Sequence, residues 1–140
     1  NLLRLGYYFH DSSLHNRLRL LFKSYSHQLS KMPMTMPTLL RCVEMYKHGM
    51  NEIIVQSSNI QERTQIIEYL QTSYLPNVIL FQFDKISSKF FEINQQLQSF
   101  RTSNETNIYI CRNFQCQSPL TSFEQLKDKF ERLIFAKNQT

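Results

Sequence analysis

Glycine is nearly missing from this chain: Gly6 and Gly49 are the only two in 140 residues, where a share of about 7% is usual. Two isolated glycines cannot build a Gly-rich phosphate loop, a dinucleotide fingerprint or a G-x-S-x-G nucleophile elbow. The four histidines (His10, His15, His27, His48) form no H-E-x-x-H pair, which removes a zincin-type metal site. Carboxylates are few, three Asp and eight Glu. Most fall at helix starts or on polar faces, so a paired acid–base centre has no anchor. No run approaches the roughly 20 apolar residues of a membrane-spanning helix. The opening NLLRLGYYF lacks the basic start and cleavage site of a signal peptide. It begins inside what reads as a helix, so a piece of a longer protein is expected.

What is present suits one ordinary domain, with 41% hydrophobic residues and enough chain to bury a core. The charge is uneven. Residues 1–50 carry seven Lys/Arg (Arg4, Arg17, Arg19, Lys23, Lys31, Arg41, Lys47) against Asp11 and Glu44, whereas residues 51–140 carry nine of each sign. A basic third can mark a nucleic-acid or anionic-membrane surface. No RNP, zinc-finger or basic–aromatic motif accompanies it, so a solvated helix face, or one meeting an acidic part of a larger protein, is preferred.

Periodicity divides the chain in two. Residues 1–50 read as helical. A helix tail ends before Asp11-Ser12-Ser13, which is good N-cap chemistry. Leu14, Leu18, Leu21, Phe22, Tyr25 and Leu29 then line one helix face. Pro33 closes that helix, Pro37 opens the next and Gly49 stops it. From residue 51 the pattern becomes β-α-β-α-β-loop-α. Ile53–Val55, Val78–Phe83 and Asn107–Cys111 are the strands. Ile60, Ile66, Ile67, Leu70 and Tyr74 line one helix, with Asn59 and Glu62 as a capping box. Ile86, Phe90, Ile93, Leu97 and Phe100 line another. Thr121 and Glu124 cap the last, whose face is Phe123, Leu126, Phe130, Leu133 and Ile134. Strands alternating with helices imply parallel pairing. The expected fold is α/β: a helical hairpin followed by a small three-stranded parallel sheet covered by helices.

The sharpest local feature is CRNFQCQSP, Cys111 to Pro119. Two thiols five positions apart straddle a loop at the carboxyl end of the third strand, the edge where parallel sheets usually bind ligands. The start of the last helix follows, and a nearby helix N-terminus lowers a thiol's pKa. Cys111 and Cys116 could be a redox dithiol, a structural disulfide or half of a metal site. Buried thiols packing as small apolar groups are preferred. Metal is the weakest reading, because two thiolates need two further ligands and no histidine is near in sequence. Cys42 lies beside an apolar stripe and reads as a buried, inert thiol. Three cysteines do not make a secreted disulfide framework, which favours an intracellular setting. The sequons at Asn104 and Asn138 are too short to weigh against it. No cofactor and no complete catalytic constellation are expected.

The run NIYICRNFQCQSPLT (107–121) with Glu124 and Leu126 resembles the closing motif of the spermatogenesis-associated protein 20 family of thioredoxin-domain-containing proteins. NLLRL at Asn1 resembles that family's last toroid helices. Pro33 and PTLL from Pro37 resemble its proline-flanked helix, EIIV from Glu52 its first C-terminal strand, and YLPN from Tyr74 the link to the second. The resemblance implies an upstream thioredoxin-like domain and an (α/α) six-hairpin toroid similar to that of N-acylglucosamine epimerases. Residues 1–50 would be the toroid's last helices and 51–140 a small α/β tail, with Cys111 and Cys116 at the family's cysteine pair. Gln56-Ser57 departs from it, since glycine is usual at that turn. The implied role is structural, closing the toroid against the upstream part of the same chain. The alternative is a redox pair serving the thioredoxin-like domain.

Overall fold

A computed structural model describes residues 1–83, 92–100, 105–112 and 115–137. The helical first third comprises α1 (Leu2–Tyr8), α2 (Ser12–Lys31), a 3-10 turn (Pro33–Thr35) and α3 (Pro37–His48). The expected punctuation holds. The Asp11 carboxylate accepts from the Ser13 N–H, Pro37 sits in the first turn of α3, and Gly49 ends it at φ 76°, a left-handed value natural to glycine. There follow β1 (Asn51–Gln56), α4 (Ile60–Thr72), β2 (Val78–Gln82), a 3-10 helix (Gln95–Phe100), β3 (Asn107–Arg112), β4 (Gln115–Cys116) and α5 (Phe123–Lys137).

The four strands form one mixed sheet in the order β2-β1-β3-β4. Pairing of β1 with β2 is parallel, as expected from the α4 crossover. Pairing of β3 with β1 is antiparallel, with Asn107 opposite Gln56 and Arg112 opposite Asn51. The expectation of a three-stranded parallel sheet is therefore corrected to four strands of mixed direction. β3 starts at the end of the sheet where β1 and β2 finish, so the connection need not recross the sheet as a parallel return must. Of the helix expected there, Glu92 and Ile93 are helical and Gln95–Phe100, with Leu97 and Phe100, is a 3-10 helix; Ile86 and Phe90 lie outside the described residues.

Side-chain alternation gives the sheet two buried faces. On one, Leu3 and Tyr7 of α1, Leu18 of α2 and Met45 of α3 pack with Met50, Ile54, Ile79, Phe81, Leu97 and Cys111. On the other, Ile66, Ile67 and Leu70 of α4 and Leu126 and Phe130 of α5 pack with Ile53, Val55 and Ile108. Residues from both sides of the 50/51 boundary thus share one cluster. The N-terminal capping of α5 is shifted by one residue from the sequence expectation: Ser122 Oγ accepts from the Gln125 N–H, and Gln125 Oε1 accepts from the Thr121 N–H.

Gly6 marks the tightest approach between α1 and α2. A Cβ there would stand 2.4 Å from His15 Cδ2, inside van der Waals contact. Gly6→Ala is expected to lower stability by about 1–3 kcal/mol through overpacking, despite alanine's better helix propensity. A urea melt checks it, and an unchanged midpoint would show that the His15 ring can swing away.

Candidate functional site

Antiparallel β3 moves the cysteine pair. The end of β3 does not lie at the carboxyl edge of β1 and β2, as the sequence reading had it. It lies at their amino end, beside Asn51. There β3 and β4 form a short hairpin in which Cys111 is directly opposite Cys116 and Arg112 opposite Gln115; Asn113 and Phe114 lie outside the described residues. The Gln117 N–H donates to the Ile110 carbonyl at 3.1 Å, extending the ladder past the cysteines. The two sulfurs are joined as a disulfide. Opposed residues of an antiparallel pair bring their Cβ atoms close on one face, and the bond draws the two Cα atoms to 3.9 Å, closer than strand pairing alone sets them.

The two halves of this disulfide have different surroundings. Cys111 is 0% exposed, within the cluster under α1–α3. Cys116 is exposed on a two-residue edge strand, as is Gln115. Nearby polar side chains fasten the hairpin. The Arg112 guanidinium donates to the His48 carbonyl at 2.9 Å, and the Lys129 ammonium donates to Gln117 Oε1. Cys42, the free cysteine, is half-buried, and burial pushes its thiol pKa up. The thiol is thus less buried than the sequence reading expected.

Sequence reasoning missed Glu52. In register it lies between Ile79 of β2 and Cys111 of β3, on the sheet face that also carries Ile54. It is 7% exposed, and among the described residues its carboxyl has no hydrogen-bond or ion-pair partner. Burial alone pushes its pKa up to about 7, because a low-polarity surrounding disfavours the charged form. The signal was available: a strand read as buried on both faces must bury its alternate residues too, and Glu52 is two before Ile54.

A second polar cluster sits at the other end of β1. Thr106 donates to Glu62 Oε2 at 2.5 Å, and Ser57 Oγ lies 2.7 Å from Thr106 Oγ1. With the threonine proton committed to the carboxylate, Ser57 donates to Thr106. Ser57 Oγ also accepts from the Asn59 N–H, while Asn59 Oδ1 accepts from the N–H groups of Gln61 and Glu62. The cluster ties the exit of β1, the entry of β3 and the first turn of α4 together, at the turn where glycine was expected. The basic residues are partly used structurally: Arg4 donates to the Pro76 carbonyl, and Arg41 donates to the Tyr74 hydroxyl. Among the described residues no group of three or more His, Cys, Asp or Glu could hold a metal, and no helix is long and apolar enough to cross a membrane.

Comparison with family models, with curated proteins and with solved structures returns no match for this chain, so no family membership is assigned and the resemblance rests on the residues quoted for it.

Proposed function

We propose that the Cys111–Cys116 hairpin is a thiol–disulfide exchange site carried on an α/β scaffold. The observation that carries this reading is the asymmetry of the pair. Cys116 is the exposed residue of the pair and so the one offered to an incoming thiolate, whereas Cys111 is shielded from solvent and placed to resolve a mixed disulfide. Disulfide exchange requires an accessible sulfur to attack and a leaving thiol held next to it. The Cys111→Ser variant, reduced and then exposed to glutathione disulfide, is expected to accumulate a stable glutathione adduct on Cys116. Wild type passes through the same adduct only transiently, and Cys116→Ser leaves Cys111 unmodified while folded. Equal, slow labelling of both variants would remove the reading.

A structural reading has its own support. Leu18 is the one fully buried residue of α2, while Leu20 is 60% exposed and Met34 86% exposed. Apolar side chains left open along a helical hairpin suit packing against further helices, such as an upstream part of the same chain. Under this reading residues 1–50 close a larger helical assembly, and the disulfide site serves a domain outside this chain. Leu20→Lys and Met34→Lys are the substitutions expected to weaken that association without unfolding this chain.

A further inference from the structure

Resting on the exchange-site reading, we propose that Glu52 is the proton acceptor and donor for the Cys111 sulfur during thiol–disulfide exchange. The juxtaposition is fixed by the sheet. Glu52 and Cys111 are direct partners in the antiparallel β1–β3 register. Side chains of such a pair emerge on one face with Cβ atoms about 4.5–5.5 Å apart. A glutamate carboxyl carbon lies two bonds beyond Cβ and a cysteine sulfur one, so the carboxyl can reach the sulfur without moving the backbone. Both are more than nine-tenths buried, and the carboxyl is unpartnered among the described residues. A largely buried carboxyl with no hydrogen bond among the described residues is costly to keep at the edge of a core. A proton-transfer role accounts for its position.

Among the described residues no charged side chain is bonded to the Glu52 carboxyl or shifts its titration. The adjoining strands present Ile79 and Cys111 in register with Glu52. Among titratable side chains the same cluster holds Tyr7 from α1, Cys42 from α3 and Tyr109 from β3, while α2 contributes Leu18 and Phe22. Desolvation is the whole cause of the Glu52 shift. A carboxyl that titrates near neutrality can both give and take a proton there.

A thiolate of an external dithiol attacks Cys116 Sγ, forming an R–S–Cys116 bond as the Cys111–Cys116 bond breaks. The electron pair leaves on Cys111 Sγ, which takes the Glu52 proton. The second thiolate of the dithiol then displaces Cys116, whose sulfur is protonated by water. The dithiol loses two electrons and becomes a disulfide; the protein pair gains them. In the oxidising direction the Glu52 carboxylate removes the Cys111 proton as that sulfur attacks the mixed disulfide on Cys116.

The test measures resolution of the Cys116–glutathione mixed disulfide after reduced protein meets glutathione disulfide, by acid quench and mass analysis across pH 5.5–9. Wild type is expected to resolve faster as pH rises through about 7. Glu52→Gln is expected to slow resolution by about 10–100-fold at pH 7.5 and to lose the inflection, with Glu52→Asp recovering part of the rate. A denaturant melt of Glu52→Gln at the same pH separates this from unfolding, since the neutral amide is expected to leave the fold intact. Exchange in wild type with the rate and pH profile unchanged in Glu52→Gln overturns the Glu52 role alone. Absence of any adduct or exchange in folded wild type overturns the exchange-site reading and the Glu52 role with it.

Discussion

Ile54→Ala is expected to lower the unfolding free energy by about 3–4 kcal/mol, the usual cost of truncating a fully buried branched side chain. Ile54 stands at the centre of β1, paired with Phe81 of β2 and Tyr109 of β3, and is 1% exposed. It shares a cluster with Leu3, Tyr7, Leu18 and Met45, so its removal opens a void between sheet and helices that neither can readily fill. Leu18→Ala is expected to cost about 2–4 kcal/mol, although Leu18 lies on α2 in the other half of the sequence. Denaturant melts of both variants check this. A large loss for Ile54→Ala beside less than about 1 kcal/mol for Leu18→Ala would mean that α2 is not seated on the sheet.

The second large effect is a loss of stability with rising pH, traced to Glu52. Its folded pKa of about 7 lies above the ordinary carboxylate value of 4.5. Between these values the folded state holds a proton that the unfolded chain has released, so stability falls as pH rises. The Glu52 contribution is fully present below about pH 4.5 and lost as pH passes through about 7. The full swing is at most on the order of 3 kcal/mol, and solvent reaching the carboxyl lowers it. In Glu52→Gln this decline is expected to vanish, leaving the variant more stable than wild type at pH 8 and close to it at pH 5. Melts at the two pH values decide it, and a parallel decline in both proteins would assign the pH dependence to other groups.

The helices and the three longer strands were legible in the sequence because each buries a stripe or an alternate face, and burial imposes a period. Asp11, Pro37 and Gly49 were legible as boundaries because each solves a local backbone problem at a helix end. Strand direction was not. A run such as Asn107–Arg112 has the same side-chain pattern whichever way it pairs, and the intervening segment looked helical enough to suggest a crossover. β4 was invisible, since two exposed residues carry no period. That omission displaced the site: without the hairpin, Cys111 and Cys116 fell in a loop at the wrong end of the sheet. The register also decides what the pair faces, and only antiparallel pairing sets Glu52 opposite Cys111. The family resemblance spoke to the order of segments and the cysteine motif; it carried no information on this contact.

Exchange of the disulfide in the folded protein is decided by the reduction potential of the Cys111–Cys116 pair. Four residues separate the cysteines, so closing this loop stabilises the fold by only about 2 kcal/mol on the chain-entropy model. By linkage, the fold stabilises the bond by a similarly small amount, and exposed, two-residue β4 adds little to hold Cys116 in place. Equilibrating the native protein with defined glutathione ratios and trapping by alkylation is expected to give a potential between about −270 and −180 mV, the range of exchange-active pairs. A value below about −300 mV, as structural disulfides show, with no exchange until the protein unfolds, would make the pair a structural crosslink and not an exchange site.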